Sequence, residues 1–143
     1  MKKICLLLLM INLSSAFAGG VGYINYDVVI ENYQYAKNTL TEIENKSIEI
    51  DKYLQAKEEE YNKTESAVQK KKIEDSVRAE LPAKEKAFQE FRMRREDDVY
   101  NRIHAVTEKI RMEKGLDAVL DARSVFSGGQ DITDDLVKKL NGK

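Results

Sequence analysis

Few residues in this 143-residue chain have side chains suited to chemistry. His104 is the only histidine, and Cys5, the only cysteine, stands close to the N-terminus. A zinc site needs three or four nitrogen, sulfur or carboxylate ligands. A lone histidine beside Ile103 therefore reads as the flank of a packed helix face, not as a metal ligand or general base. Asp117, Asp121, Asp131, Asp134 and Asp135 gather toward the C-terminus. No EF-hand loop pattern organises them, so turn and helix-capping roles are the better reading. Gly128-Gly129 precedes a helix, but neither GxGxxG nor a GKS/GKT sequence is present, so no phosphate cradle is expected. Lys70-Lys71-Lys72 and the group Arg92, Arg94 and Arg95 are basic runs able to make weak contact with an anionic membrane surface or with an acidic segment of another polypeptide. Glu58, Glu59, Glu60, Glu74 and Asp75 balance them, which makes solvated helix faces the simpler reading. No nucleophile–base pair is visible. The chain reads as a non-enzyme with no catalytic residue, cofactor or metal.

The elements that carry these residues are dominated by one block. From Asp27 to Lys114 the chain runs 88 residues without a glycine and with one proline, Pro82, while 20 acidic and 18 basic residues alternate with apolar ones. Glycine and proline punctuate local structure most strongly, so their absence predicts long helices. Val29, Tyr33, Ala36, Leu40, Ile43, Ser47, Ile50, Leu54, Lys57 and Tyr61 follow alternating spacings of four and three, the pattern of a coiled-coil seam. Ile73, Val77, Leu81, Phe88, Phe91, Val99, Ile103, Val106 and Ile110 form a second face, with a skip at Arg95 that resembles a stutter. Arms of similar length require a reversal within 63–69, which places Pro82 as a kink in the returning helix.

Around this block the segments are short. Val21 to Tyr26 reads as a strand, with Asp27 as N-cap of the first helix. Gly115 is placed as a helix C-cap. Leu116 to Asp121 and Ser124 to Phe126 read as a hairpin closed by Ala122-Arg123. Thr133 reads as N-cap of a final helix whose apolar side is Val137 and Leu140, with Ile132 stapling onto Val137. The expected class is α+β and mostly helical: a small strand base at 19–26 and 115–143, and an antiparallel helical-hairpin arm at 27–114.

Residues 1–18 read as a signal peptide. Lys2 and Lys3 form the positive region, Ile4 to Leu13 the apolar run, and Ala16-Phe17-Ala18 the cleavage site, with the cut after Ala18. Cleavage leaves 22 basic and 25 acidic residues and no cysteine. That balance gives no basic footprint for nucleic acid, and disulfides are excluded. A base of about 37 residues is too small to rely on its own core, which implies self-association.

The signal, the strand VGYINYDVV, the charged helical block, KGLDAVLD and the closing DITDDLVKKL together resemble the Skp/OmpH family of periplasmic chaperones from Val21 to Leu140. The resemblance implies a homotrimer with a shared β-barrel base, its assembly falling on Tyr23, Ile24, Val119, Leu120, Val125 and Phe126. It also implies an ATP-independent holdase that keeps unfolded outer-membrane β-barrel proteins in a cavity between the arms. The family has no compact ligand motif. Apolar and aromatic arm residues outside the seam, Tyr35, Tyr53 and Phe91, are the candidate client contacts. The other reading is an exported coiled-coil scaffold of the cell envelope without unfolded clients. Length, charge and periodicity do not separate the two, and only the terminal motifs favour the chaperone. The mature chain is slightly acidic where the best-known members are strongly basic, which weakens any role for long-range attraction to anionic lipid or lipopolysaccharide.

Overall fold

The computed structural model describes residues 19–143. The signal-peptide reading, with Cys5 and the cut after Ala18, lies outside the described residues. The chain is mostly helical with a small strand set. Strand β1 (Val21–Ile24) leads into α1 (Tyr26–Asn32), α2 (Gln34–Lys63) and α3 (Ala67–Glu113). Strand β2 (Ala118–Asp121), a 3-10 turn at Ala122–Ser124, β3 (Gln130–Asp131) and α4 (Thr133–Leu140) complete it.

The first strand is shorter than expected, because Asn25 caps the first helix in place of Asp27. Asn25 is extended, and its Oδ1 accepts the Val28 N–H at 3.2 Å. A short polar side chain at that position satisfies an otherwise orphaned helix donor. The helix then stops at Tyr33, which is extended at φ −87° and ψ 113°, so α1 and α2 are separate. Asn141 braces the break. Its Oδ1 accepts the Gln34 N–H at 3.0 Å and its Nδ2 donates to the Asn32 carbonyl at 2.9 Å. At the other end of α4 the Thr133 Oγ1 accepts the Asn25 N–H at 3.0 Å. Helix α4 thus runs beside α1 in the same direction and is tied to it at both ends.

The sheet also differs from expectation. Its order is β2-β1-β3, with both outer strands parallel to β1. The hairpin of Leu116 to Asp121 with Ser124 to Phe126 does not form. Asp121 accepts the Arg123 N–H at 2.9 Å, which turns the chain aside after β2, and β2 pairs with β1 in the register Val21 with Ala118 through Ile24 with Asp121. Parallel neighbours need a long crossover, and here the helical block supplies it. Gly22 permits the tight fit, since a Cβ there would meet Leu116 Cδ1 at 2.7 Å.

Helices α2 and α3 have 30 and 47 residues, about 45 and 70 Å at 1.5 Å per residue. Their contacts run in opposite chain directions: Lys70 lies over Tyr61, Lys84 over Tyr53, and Arg95 reaches Glu42. Ser66 caps α3, and Pro82 sits inside that helix. Helix α3 ends in a Schellman motif: Gly115 has φ +64°, its N–H meets the Met112 carbonyl, and the Leu116 N–H meets the Arg111 carbonyl. Only glycine takes that backbone without penalty.

Burial concentrates where α1, α4, the sheet and the root of the arm meet. Ile24, Val29, Tyr33, Ala36, Val99, Ile103, Ile110, Leu116, Ile132 and Leu136 form one cluster, with Val137 and Leu140 packed against it. At the start of α4, Asp131 takes the capping role expected of Thr133: its Oδ1 accepts the Thr133 N–H at 2.9 Å.

Candidate functional site

The base residues named from the resemblance divide into two groups. Ile24 is already buried in the chain's own core, and Tyr23, Val119 and Val125 are half-buried. Leu120 is 41% exposed and Phe126 is fully exposed. A cavity of about 250 Å³ runs beside β2, lined by Tyr26, Tyr100, Ile103, His104, Val119 and Leu120. The Tyr100 and His104 rings stack there, 6.1 Å apart. Among the described residues no group of three or more His, Cys, Asp or Glu side chains converges for a metal. Both outer strands of the sheet leave an edge unpaired among the described residues, and an open strand edge is a template for pairing with another chain.

The C-terminal aspartates have local partners. The Arg123 guanidinium and N–H hold the Asp121 pKa down to about 2. Asp131 caps α4, and Asp135 meets Lys114 at 2.8 Å. Gly128 and Gly129 form a turn of positive φ, with Gly129 close against Tyr23.

At the arm root a polar layer occupies the skip in the second seam. Arg95 leans across to α2, where Nη2 meets Glu42 at 2.7 Å and Thr39 Oγ1 at 3.4 Å, and Nη1 donates to the Tyr35 hydroxyl at 3.1 Å. Tyr35 donates to Asp98, which also accepts from Arg102 Nε at 3.0 Å. The Arg102 guanidinium lies 4.3 Å from the Tyr35 ring centre. The Tyr35 hydroxyl, followed by Arg102, keeps the Asp98 carboxyl below its ordinary pKa. A planar, permanently charged guanidinium suits such a layer because it stacks on an aromatic ring and forks to several acceptors at once.

This layer engages Tyr35 from within the arm. Tyr53 is half-buried beneath Lys84, and its hydroxyl is shut from solvent without a hydrogen-bond partner of ordinary geometry. Burial, and after it the nearby Glu80 carboxylate, pushes its pKa up. Phe91 is half-buried. Other apolar side chains stand further out. Leu40 is 53% exposed, and Met93 and Tyr100 are exposed as well. Leu40 was expected in the seam, but Thr39, 2% exposed, takes the inward place. Tyr33 breaks the helix, yet Ala36, Ile43, Ser47 and Ile50 keep the inward phase counted from Val29, so the exchange is local to positions 39 and 40. No sequence pattern marks that break, which Asn141 bridges from more than a hundred residues away.

A small parallel sheet that carries two long, charged, packed helices and leaves apolar groups on both parts defines a class of helical-arm proteins. The family model of the OmpH-like outer membrane proteins matches residues 20–140. The chain belongs to that family. A crystal structure from Caulobacter crescentus, presented as an OmpH-like outer membrane chaperone, is similar at 12% identity and a TM-score of 0.40, over 86% of this chain and 84% of that one. No curated protein sequence matches. Among the described residues no helix is long and apolar enough to cross a membrane.

Proposed function

We propose that this protein is a periplasmic, ATP-independent holdase chaperone that binds unfolded outer-membrane β-barrel proteins. The family match carries the reading, and the architecture supports it. The arm is an antiparallel hairpin, and three copies associate through their sheet bases, with Leu120, Phe126 and the open β2 edge as the surfaces best available to a neighbour. Tyr23, Val119 and Val125 flank that surface, while Ile24 contributes from beneath. Three arms then enclose a cavity. Unfolded barrel strands alternate apolar and polar residues, and many weak contacts spread over three arms retain such a chain by effective concentration. Release requires no nucleotide.

The test is molecular mass in solution by light scattering, for the protein alone and with an outer-membrane barrel protein diluted from urea. A trimer that takes up the unfolded barrel and keeps it in solution is the expected result. A stable oligomer that ignores it identifies the envelope scaffold instead. Tyr35, Tyr53 and Phe91 remain proposed contacts. Changing all three to Ser should weaken client retention with the trimer mass unchanged, and undiminished retention removes them.

A further inference from the structure

The distal arm contains a groove that neither the seam nor the base explains. Position 57 of the α2 seam is a lysine between Leu54 and Tyr61. An ammonium group is not left in an apolar seam, and Lys57 Nζ turns out to Glu60 Oε2 at 3.0 Å. The helix pair is underfilled at that level. On one side opens a cavity of about 470 Å³ with Leu54, Tyr61, Ile73 and Val77 as its apolar walls. On the other lies a more polar cavity of about 430 Å³ that shares Lys57 and Ile73. Leu54 is 36% exposed, so the apolar wall reaches solvent.

We propose that this apolar groove is a binding site for the side chains of an extended, unfolded polypeptide; the proposal rests on the holdase reading and locates its contact on the arm. Two observations select that occupant. Lys57 and Arg78 share the rim with Glu58 and Glu74, so the charges cancel. A phosphate or an anionic lipid headgroup finds no net attraction, whereas a peptide with polar groups of either sign is accommodated. Length agrees as well. Leu54 to Tyr61 spans about 10 Å along the helix at 1.5 Å per residue, and side chains on one face of an extended chain recur about every 7 Å. Two same-face apolar side chains fit the groove, and the residue between them points away from it into solvent. Lysine at this level exchanges arm stability for an open groove.

Filling the groove tests this. Lys57→Met in the complete chain should raise the temperature at which the arm melts and release a bound, urea-unfolded outer-membrane barrel protein several-fold faster. The pair Leu54→Ser with Val77→Ser, made in parallel, should also speed release while helix content by circular dichroism stays near that of the parent. Unchanged release from either variant overturns the groove and leaves the holdase reading standing. Failure of the parent protein to hold the client overturns both.

Discussion

The root and the distal half of the arm are built from similar charged helices, yet they pack differently. At the root, Val29, Ala36, Ile132 and Leu136 are almost completely enclosed. Beyond Arg95, α2 buries no side chain fully, and Ile73 is the one buried residue of α3 between Ala67 and Asp98. The difference lies in the number of neighbours. A root side chain meets α1, α4 or the sheet as well as the facing helix. A distal side chain has one partner helix and keeps an outer flank in water. Full burial of an aliphatic side chain contributes about 1.5–3 kcal/mol, and half-burial correspondingly less, so stability should fall along the arm. Regions with few buried contacts open first, which under the proposed holdase reading would give the arm an adaptable surface on a fixed base.

The largest expected effect comes from deleting buried volume on each side of the Arg95 layer. Leu136→Ala should cost about 2–5 kcal/mol and lower the global unfolding midpoint in urea. Ile50→Ala, at a half-buried position beside Phe88 in the distal arm, should cost only about 1–2 kcal/mol. Equal losses would mean that the arm and base unfold as one unit. A smaller effect is expected at the brace between them. Asn141→Ala removes two side-chain hydrogen bonds across the α1–α2 break, about 1 kcal/mol. Hydrogen exchange at the Gln34 amide should quicken while amides of the Leu136 core keep their protection.

The smallest effect is electrostatic. The folded pKa of Asp121 is depressed to about 2, against about 3.9 in an unfolded chain. Its contribution to stability is therefore present above about pH 4 and is lost as pH falls toward 2. Asp98 is depressed in the same sense. Both sites are solvent-accessible, and salt should screen the effect. Carboxyl NMR titration should find both groups below the ordinary aspartate range, and Asp121→Asn should flatten the acid limb of the melting curve. A normal titration at Asp98 with a depressed one at Asp121 would show that the arm-root layer is looser than the base turn.

Much of this protein was legible from residue order. The absence of glycine from Asp27 to Lys114 forecast the helices, and Gly115 their end, because helix propensity and capping act within a few residues. The VGYINY, KGLDAVLD and DITDDLVKKL segments pointed to the family. Strand partners were not legible: Leu116 to Asp121 is a plausible strand beside any neighbour, and only the assembled chain brings it parallel to β1. The same holds for the helix break at Tyr33, the inward turn of Thr39 and the Arg95 layer. Each depends on groups distant in sequence, such as Asn141 across from Gln34 or Tyr35 across from Asp98. By itself the sequence determined which stretches are helix, how charged they are and where the long block ends at Gly115, since those preferences are paid for locally in backbone geometry. Tertiary structure decided which edges pair, which residues face inward and where the helix pair leaves an open groove, because hydrogen bonds and burial between distant segments exist only after the chain has closed on itself.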